Sequence, residues 1–218
     1  MGESKSCNVA GFPINHSLSP YLFVLVHEHL GMSWEIPQKI ETSDINDIFN
    51  FNKMSPQLTP KFKQKVKFVT NELIGGNFDF SGIPPIEIFK FKKSYHEGIQ
   101  WGSITSPLKH QLETCLVNCY VTGNDIVRYA MTDGYGVVLA ARQFGINFEN
   151  KPVLHLKGGG SAALATAKAW LSMGGKVRAL QGKRCLPEDV LLKCNSNLDS
   201  DLFVDFDNSS DSEGLVLF

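Results

Sequence analysis

Two things are scarce in this chain: surplus charge and long apolar runs. Its 218 residues carry 21 Lys and Arg against 22 Asp and Glu, a net charge of -1. Such a balance offers no electrostatic case for nucleic acid or an anionic membrane as partner. No apolar run approaches the roughly 20 residues that a membrane-spanning helix needs. Residues 1–10 lack the apolar core of a secretory signal. Cysteines are few and scattered, at Cys7, Cys115, Cys119, Cys185 and Cys194. Cys115 and Cys119 are close in sequence, but no second Cys/His pair has zinc-site spacing, so no metal site is expected. An odd set of thiols reads as reduced cysteines in a cytoplasmic protein. The chain is well supplied with core-forming residues, 43% hydrophobic, enough for one large domain or two small ones.

The stretch from Gly102 to Lys109 organises the rest. Residues 99–105 read as a strand that halts at Pro107, which cannot donate to a ladder and biases Ser106 away from helix. Lys109 then stands just past a strand end, with the Thr105 hydroxyl behind it. Open α/β sheets keep their ligands at that edge. Upstream, residues 7–12 form a strand closed by Gly11 and Pro13. Ser19 reads as an N-cap with Pro20 at the first helical position, opening an apolar helix over 21–30. A second strand over 34–40 and a short helix over 44–51 follow. In 61–73, Phe62, Val66, Val69 and Leu73 share one helical face beside many lysines, which reads as a solvated basic face. Residues 75–85 form a loop rich in Gly and Pro, and 86–91 a short strand. Past Lys109, a helix of a turn or two is expected over 110–116. Residues 117–120 and 126–129 should form a hairpin around Gly123 and Asn124. Asp133 and Gly134 cap a helix over 135–144 that Gly145 stops.

From residue 151 the pattern changes. Strand 153–156, a glycine turn, helix 161–173 and strand 176–180 make one βαβ unit, the pattern of a dinucleotide-binding domain. A short helix over 187–193 and a third strand over 202–206 complete it, followed by an acidic stretch over 207–213 and an apolar one over 215–218. The fold class is therefore α/β: an N-terminal open α/β domain over 1–134 with a poorly readable region at 52–98, a linking helix over 135–150, and a partial Rossmann-like domain over 151–218. About six strands make a complete domain of this kind, against three to four here.

Four motifs, in order, resemble the shikimate dehydrogenase family: His16-Ser17-Leu18-Ser19-Pro20, Ser103-Ile104-Thr105-Ser106-Pro107-Leu108-Lys109, Met131-Thr132-Asp133-Gly134, and Gly158-Gly159-Gly160-Ser161-Ala162-Ala163. The resemblance implies an NADP-dependent oxidoreductase that interconverts 3-dehydroshikimate and shikimate, or a quinate analogue. It implies that Lys109 and Asp133 form the catalytic pair. Reducing a ketone with a nicotinamide hydride needs a proton delivered to the developing alkoxide, and a lysine held by an aspartate can supply it or stabilise the oxyanion. It further implies that Ser17 and Ser19 hold the substrate carboxylate, and that Thr105, Asn118 and Ser103 contact the ring hydroxyls. The Gly158, Gly159, Gly160, Ser161 and Ala162 turn would take the cofactor diphosphate at a helix N-terminus.

Some positions depart from the family pattern. Ser103 and Met131 stand where asparagine is usual, and Phe23 and Val24 where His-Asn is expected. Lined up without gaps, Lys157 takes the place of the first loop glycine. Shifted by one residue, Gly158-x-Gly160-x-x-Ala163 fits G-x-G-x-x-A. After strand 176–180 no acidic residue is present to hold a ribose hydroxyl, whereas Lys183 and Arg184 could pair with a 2′-phosphate. That favours NADP. Against the family, residues 52–98 read as an insertion and the cofactor domain as shortened. A homodimer partner or swapped segment could complete the site. The alternative reading is a non-catalytic shikimate- or quinate-binding regulatory protein on the same fold.

Overall fold

The computed structural model describes residues 5–15, 17, 19–29, 37–49, 82, 84–92, 99–113, 115–123, 125–194, 199–207 and 215–216. The helix expected over 61–73, most of the 75–85 loop, Asn124 and the acidic residues 208–213 lie outside them. Two compact units emerge, one of residues 1–76 and 87–130, the other of 77–86 and 131–218.

The first unit is built on a six-stranded sheet of β1 (Lys5–Gly11), β2 (Gln38–Glu41), β3 (Ile88–Lys92), β4 (Ile99–Ile104), β5 (Cys119–Gly123) and β6 (Ile126–Ala130), in the order β2-β1-β4-β5-β6-β3. β1 runs parallel to both β2 and β4. From β4 outward the sheet turns antiparallel through β5, β6 and β3. The β5–β6 pair is the expected hairpin. One apolar cluster gathers Ala10, Ile40, Ile104, Tyr120 and Tyr129 from the strands with Ile45, Ile48 and Phe49 of the 3-10 turn Ile45–Phe49. Within it Asn8 Nδ2 donates to the Tyr120 hydroxyl at 3.2 Å, and burial pushes the Tyr120 phenol well above its usual range. Burial also drives the Cys7 thiol up to about 12. Helix α1 (Ser19–His29) buries Val24 and sets the His27 ring edge-on to Trp101, centroids 5.8 Å apart.

The second unit is a four-stranded parallel sheet, β10-β9-β7-β8, of β7 (Val153–Lys157), β8 (Lys176–Leu180), β9 (Leu202–Asp205) and β10 (Leu215–Val216). Its helices are α2 (Asp133–Gln143), α3 (Ser161–Ser172) and the short α4 (Glu188–Leu191). Leu154, Leu156, Val177 and Val204 of the strands and Val138, Ala167 and Trp170 of the helices form its core. β7 and β9 read as near-continuous apolar runs because a parallel sheet is covered on both faces. Trp170 Nε1 donates to the Pro152 carbonyl at 3.0 Å, which satisfies the indole inside the core.

Three expectations need correction. Among the described residues of 110–116 no α-helix forms: the chain there has only the 3-10 turn Leu108–His110, anchored by the fully buried Leu108. The helix placed at 135–144 starts at Asp133 and runs to Gln143, its N-cap being Thr132. The first turn accepts Asp133 because a carboxylate there opposes the positive end of the helix dipole. Rather than standing apart as a link, α2 packs on α3 inside the second unit, as the close approach of Gly134 shows: a Cβ on Gly134 would collide with the Ala165 carbonyl.

That contact gives a paired prediction. Gly134→Ala overpacks the helix crossing and should cost about 1–3 kcal/mol. Gly136→Ala, on the same helix with nothing within 4 Å of its Cβ position, should gain about 0.5–1 kcal/mol from the better helix former. Urea unfolding of the two variants checks the opposite signs. A second prediction concerns pH. Burial lowers the His27 imidazole pKa in the folded chain, so the unfolded chain binds more protons below its own value of about 6.5. Stability is therefore fully present above that pH and is lost as pH falls through it towards the folded value. His27→Leu removes this contribution, so the wild-type advantage over the variant should shrink between pH 8 and pH 5 in denaturant titrations. An unchanged difference would contradict the assignment.

Candidate active site

In the first unit the carboxyl end of β4 is stitched to that of β1. Thr105 N–H donates to the Ala10 carbonyl at 2.8 Å, and Phe12 N–H to the Ser106 carbonyl at 3.0 Å. Thr105 follows β4 directly, and its carbonyl accepts Leu108 N–H at 3.0 Å, closing the turn that carries Lys109. The Lys109 carbonyl accepts Val117 N–H at 3.2 Å. That bond returns the chain to Asn118, whose carbonyl accepts Ile104 N–H at 2.7 Å and whose N–H reaches Ala130 at 2.9 Å. Thr105, Lys109 and Asn118 thus share one edge of the sheet. The Asn118 backbone serves two strands at once, and its side chain is buried.

Ser103 is half-buried on β4 itself, opposite Val9 and Cys119. Ser17 and Ser19 lie beyond the carboxyl end of β1. Ser17 Oγ accepts the backbone N–H of Ser19 at 3.3 Å, and Ser19 is already the first residue of α1. The capping hydroxyl is therefore that of Ser17, not of Ser19 as the sequence suggested. His16 and Leu18 of the same motif fall outside the described residues. Lys109 belongs to the first unit, and Asp133 opens the first helix of the second.

In the second unit the alternative alignments of the glycine loop are decided by the strand. Lys157 is the last residue of β7, in register with Leu180 and Asp205. The turn starts at Gly158, whose φ of +110° suits glycine, and α3 begins at Ser161 with Gly160 as its N-cap. The reading that counts Gly158 as the first glycine is the one that fits. No side chain caps the start of α3 among the described residues.

The glycine turn is closely held by its neighbours. A Cβ on Gly159 would run into the Cys185 carbonyl, and one on Gly160 would lie 2.8 Å from Arg184 Nη2. The loop carrying Lys183 and Arg184 therefore lies directly over Gly158, Gly159 and Gly160, with Ser161 and Ala162 opening the helix beneath. Two acids that sequence reading passed over hold this corner. Asp205, fully buried at the end of β9, pairs with Lys157 Nζ at 3.1 Å and accepts Asp207 N–H at 2.7 Å. Asp207 Oδ2 accepts Lys183 N–H at 2.6 Å, and its carbonyl accepts Lys183 Nζ at 3.2 Å. Their spacing in Val204-Asp205-Phe206-Asp207, two acids alternating with apolar residues at a strand end, was the available signal. Among the described residues, no group of three His, Cys, Asp or Glu is arranged to hold a metal ion.

Known proteins are similar to the chain in sequence and in fold. No protein-family model matches the chain. The NADP(+) shikimate dehydrogenase of Lactococcus lactis is 23% identical over 181 residues, which is 81% of this chain and 51% of that protein. The chain thus spans about half the length of the curated relative it matches. Among solved structures, shikimate 5-dehydrogenase of Thermus thermophilus in complex with NADP(H) and shikimate superposes with a TM-score of 0.57 at 18% identity, over 93% of this chain and 68% of the other. The Listeria monocytogenes enzyme in complex with shikimate and NAD gives 0.55 at 15% identity, over 94% and 68%. The mixed α/β substrate domain followed by a Rossmann-like domain is the fold of those structures. The chain is thus similar to shikimate dehydrogenases in sequence, and it shares the fold of the solved ones.

Proposed function

We propose that this chain is an NADP-dependent oxidoreductase interconverting 3-dehydroshikimate and shikimate, or the quinate analogue. The observation that carries the reading is the gathering of Thr105, Lys109 and Asn118 on one carboxyl edge of the first sheet. The strand–glycine turn–helix unit of the second supports it from the cofactor side. The sequence match to an NADP(+) shikimate dehydrogenase agrees with this reading.

In this reading Ser17 and Ser19 take the acid's carboxylate, the first with its hydroxyl and the second at a helix start where an anion is favoured. Thr105, Asn118 and Ser103 bind the ring hydroxyls. Lys109 and Asp133 are the two groups assigned to proton transfer. Lys109 donates a proton to the alkoxide as the ketone is reduced and takes it back in oxidation, and Asp133 supplies the carboxylate of the pair. The residues of the glycine turn fit a dinucleotide. Gly158 takes a positive φ that suits glycine, and the Gly160 end of α3 has no side-chain cap. When bound, the nicotinamide supplies or accepts the hydride. Gly158, Gly159, Gly160, Ser161 and Ala162 would hold its diphosphate, and Lys183 and Arg184 supply the positive charge that its phosphates need.

The test is a spectrophotometric assay with shikimate and NADP on the full chain. NADPH should form, and Lys109→Met and Asp133→Asn should each lower kcat by about 10²–10⁴-fold, the usual worth of a proton-transfer group, with the fold intact by circular dichroism. If no NADPH forms while shikimate still raises the melting temperature, the chain is a binding protein on this fold and the catalytic reading is wrong.

A further inference from the structure

The room left by the second glycine of a G-x-G-x-x-A turn is where a dinucleotide's diphosphate comes close to the backbone. Here that room faces an arginine. A Cβ on Gly160 would lie 2.8 Å from Nη2, 3.3 Å from Cζ and 3.7 Å from Nη1 of Arg184, so the Nη2 end of the guanidinium lies against the glycine. Lys183, one residue earlier, is folded the other way, its Nζ donating to the Asp207 carbonyl. The two basic residues that sequence alone assigns jointly to a 2′-phosphate are therefore parted by the fold.

What parts them is Asp207. Its Oδ2 accepts Lys183 N–H at 2.6 Å and stands so close to Gly182 that a Cβ there would collide with it. On the other side, a Cβ on Gly158 would lie 3.2 Å from Asp207 Oδ1. One carboxylate thus holds the turn after β8 and lies beside the turn after β7. Asp205 backs it, with its Oδ1 on Asp207 N–H and its Oδ2 on Lys157. With the start of the 182–185 loop fixed this way, Arg184 has little choice but to cross Gly160.

Resting on the cofactor reading above, we propose that Arg184 serves the diphosphate common to NAD and NADP rather than the 2′-phosphate, and that Asp207 is the positioning residue that holds it there. The guanidinium is planar with paired donors, which suits two neighbouring phosphate oxygens. Lys183, at the corner between Gly158 and Asp207, is left as the residue nearer the adenosine ribose.

Equilibrium binding of NADP and NAD to the full chain, followed by isothermal titration calorimetry, tests this without relying on turnover. Arg184→Ala should raise the Kd of both dinucleotides by similar factors, about tenfold or more, the scale of a lost charge-assisted pair. Asp207→Ala should raise both as well, and the double variant should be no weaker than Arg184→Ala alone. Asp207→Asn keeps an oxygen for Lys183 N–H and should stay within about threefold of wild type. Lys183→Ala should weaken NADP alone. An Arg184→Ala loss confined to NADP overturns this proposal and leaves the cofactor reading standing. Losses that multiply in the double variant remove Asp207 from the role, as would tighter NADP binding in both Asp207 variants. A wild-type chain that binds neither dinucleotide overturns the cofactor reading itself, and this proposal with it.

Discussion

Two backbone hydrogen bonds decide where the chemistry of the first unit can be. Thr105 N–H on Ala10 and Phe12 N–H on Ser106 extend the β1–β4 ladder past the last strand residues. They lock two loops together at the carboxyl edge. Without them the proline-ended segment 105–109 would be a loose connection, and loose connections do not hold catalytic side chains in register. With them Thr105 is fixed, the 3-10 turn is closed on its carbonyl, Leu108 is driven into the core, and Lys109 is presented beside it. Asn118 is the return half of the same arrangement, because a residue that must satisfy both Ile104 and Ala130 cannot wander.

The second unit solves a different problem with similar means. A glycine turn has few contacts of its own, and a dinucleotide site needs it rigid. The chain supplies rigidity from β9, through Asp205 and Asp207. The buried Asp205 carboxylate is an unfavourable charge to place in a core unless it is paired and hydrogen-bonded. Both conditions are met by Lys157 and the Asp207 backbone. Lys157 thus has a structural role outside the glycine turn. It is a strand residue, and its ammonium neutralises the acid beneath the loop.

Much of this was legible in the sequence, for local reasons. β7, α3 and β8 declared themselves because apolar runs, a glycine turn and an alanine-rich helix each satisfy short-range rules. The β5–β6 hairpin followed from two alternating segments around a turn. Lys109 and Thr105 were found through Pro107, a stop signal that acts on its immediate neighbours. The failures were long-range. Residues 110–116 have helical composition, but Val117 must return to Lys109 and Asn118 must enter the sheet, so among the described residues the 3-10 turn ends at His110 and no helix follows. Ser17 rather than Ser19 caps α1 because the helix begins one residue earlier than the Ser-Pro pair suggests. Asp205 and Asp207 went unnoticed because their partners, Lys157 and Lys183, are brought to them only by the pairing of β7 and β9. Lys183 and Arg184 looked equivalent in sequence and became distinct only once Asp207 held one of them.

The central claim is that the β4 edge of the first unit takes a hydroxy acid and the glycine turn of the second takes a dinucleotide. Hydrogen–deuterium exchange of the full chain, alone and with shikimate or NADP, examines both halves of it at once. The account predicts that shikimate slows exchange in 103–118 and NADP slows it in 157–163 and 182–186. Protection by both ligands in some other part of the chain, or by neither anywhere, would contradict it.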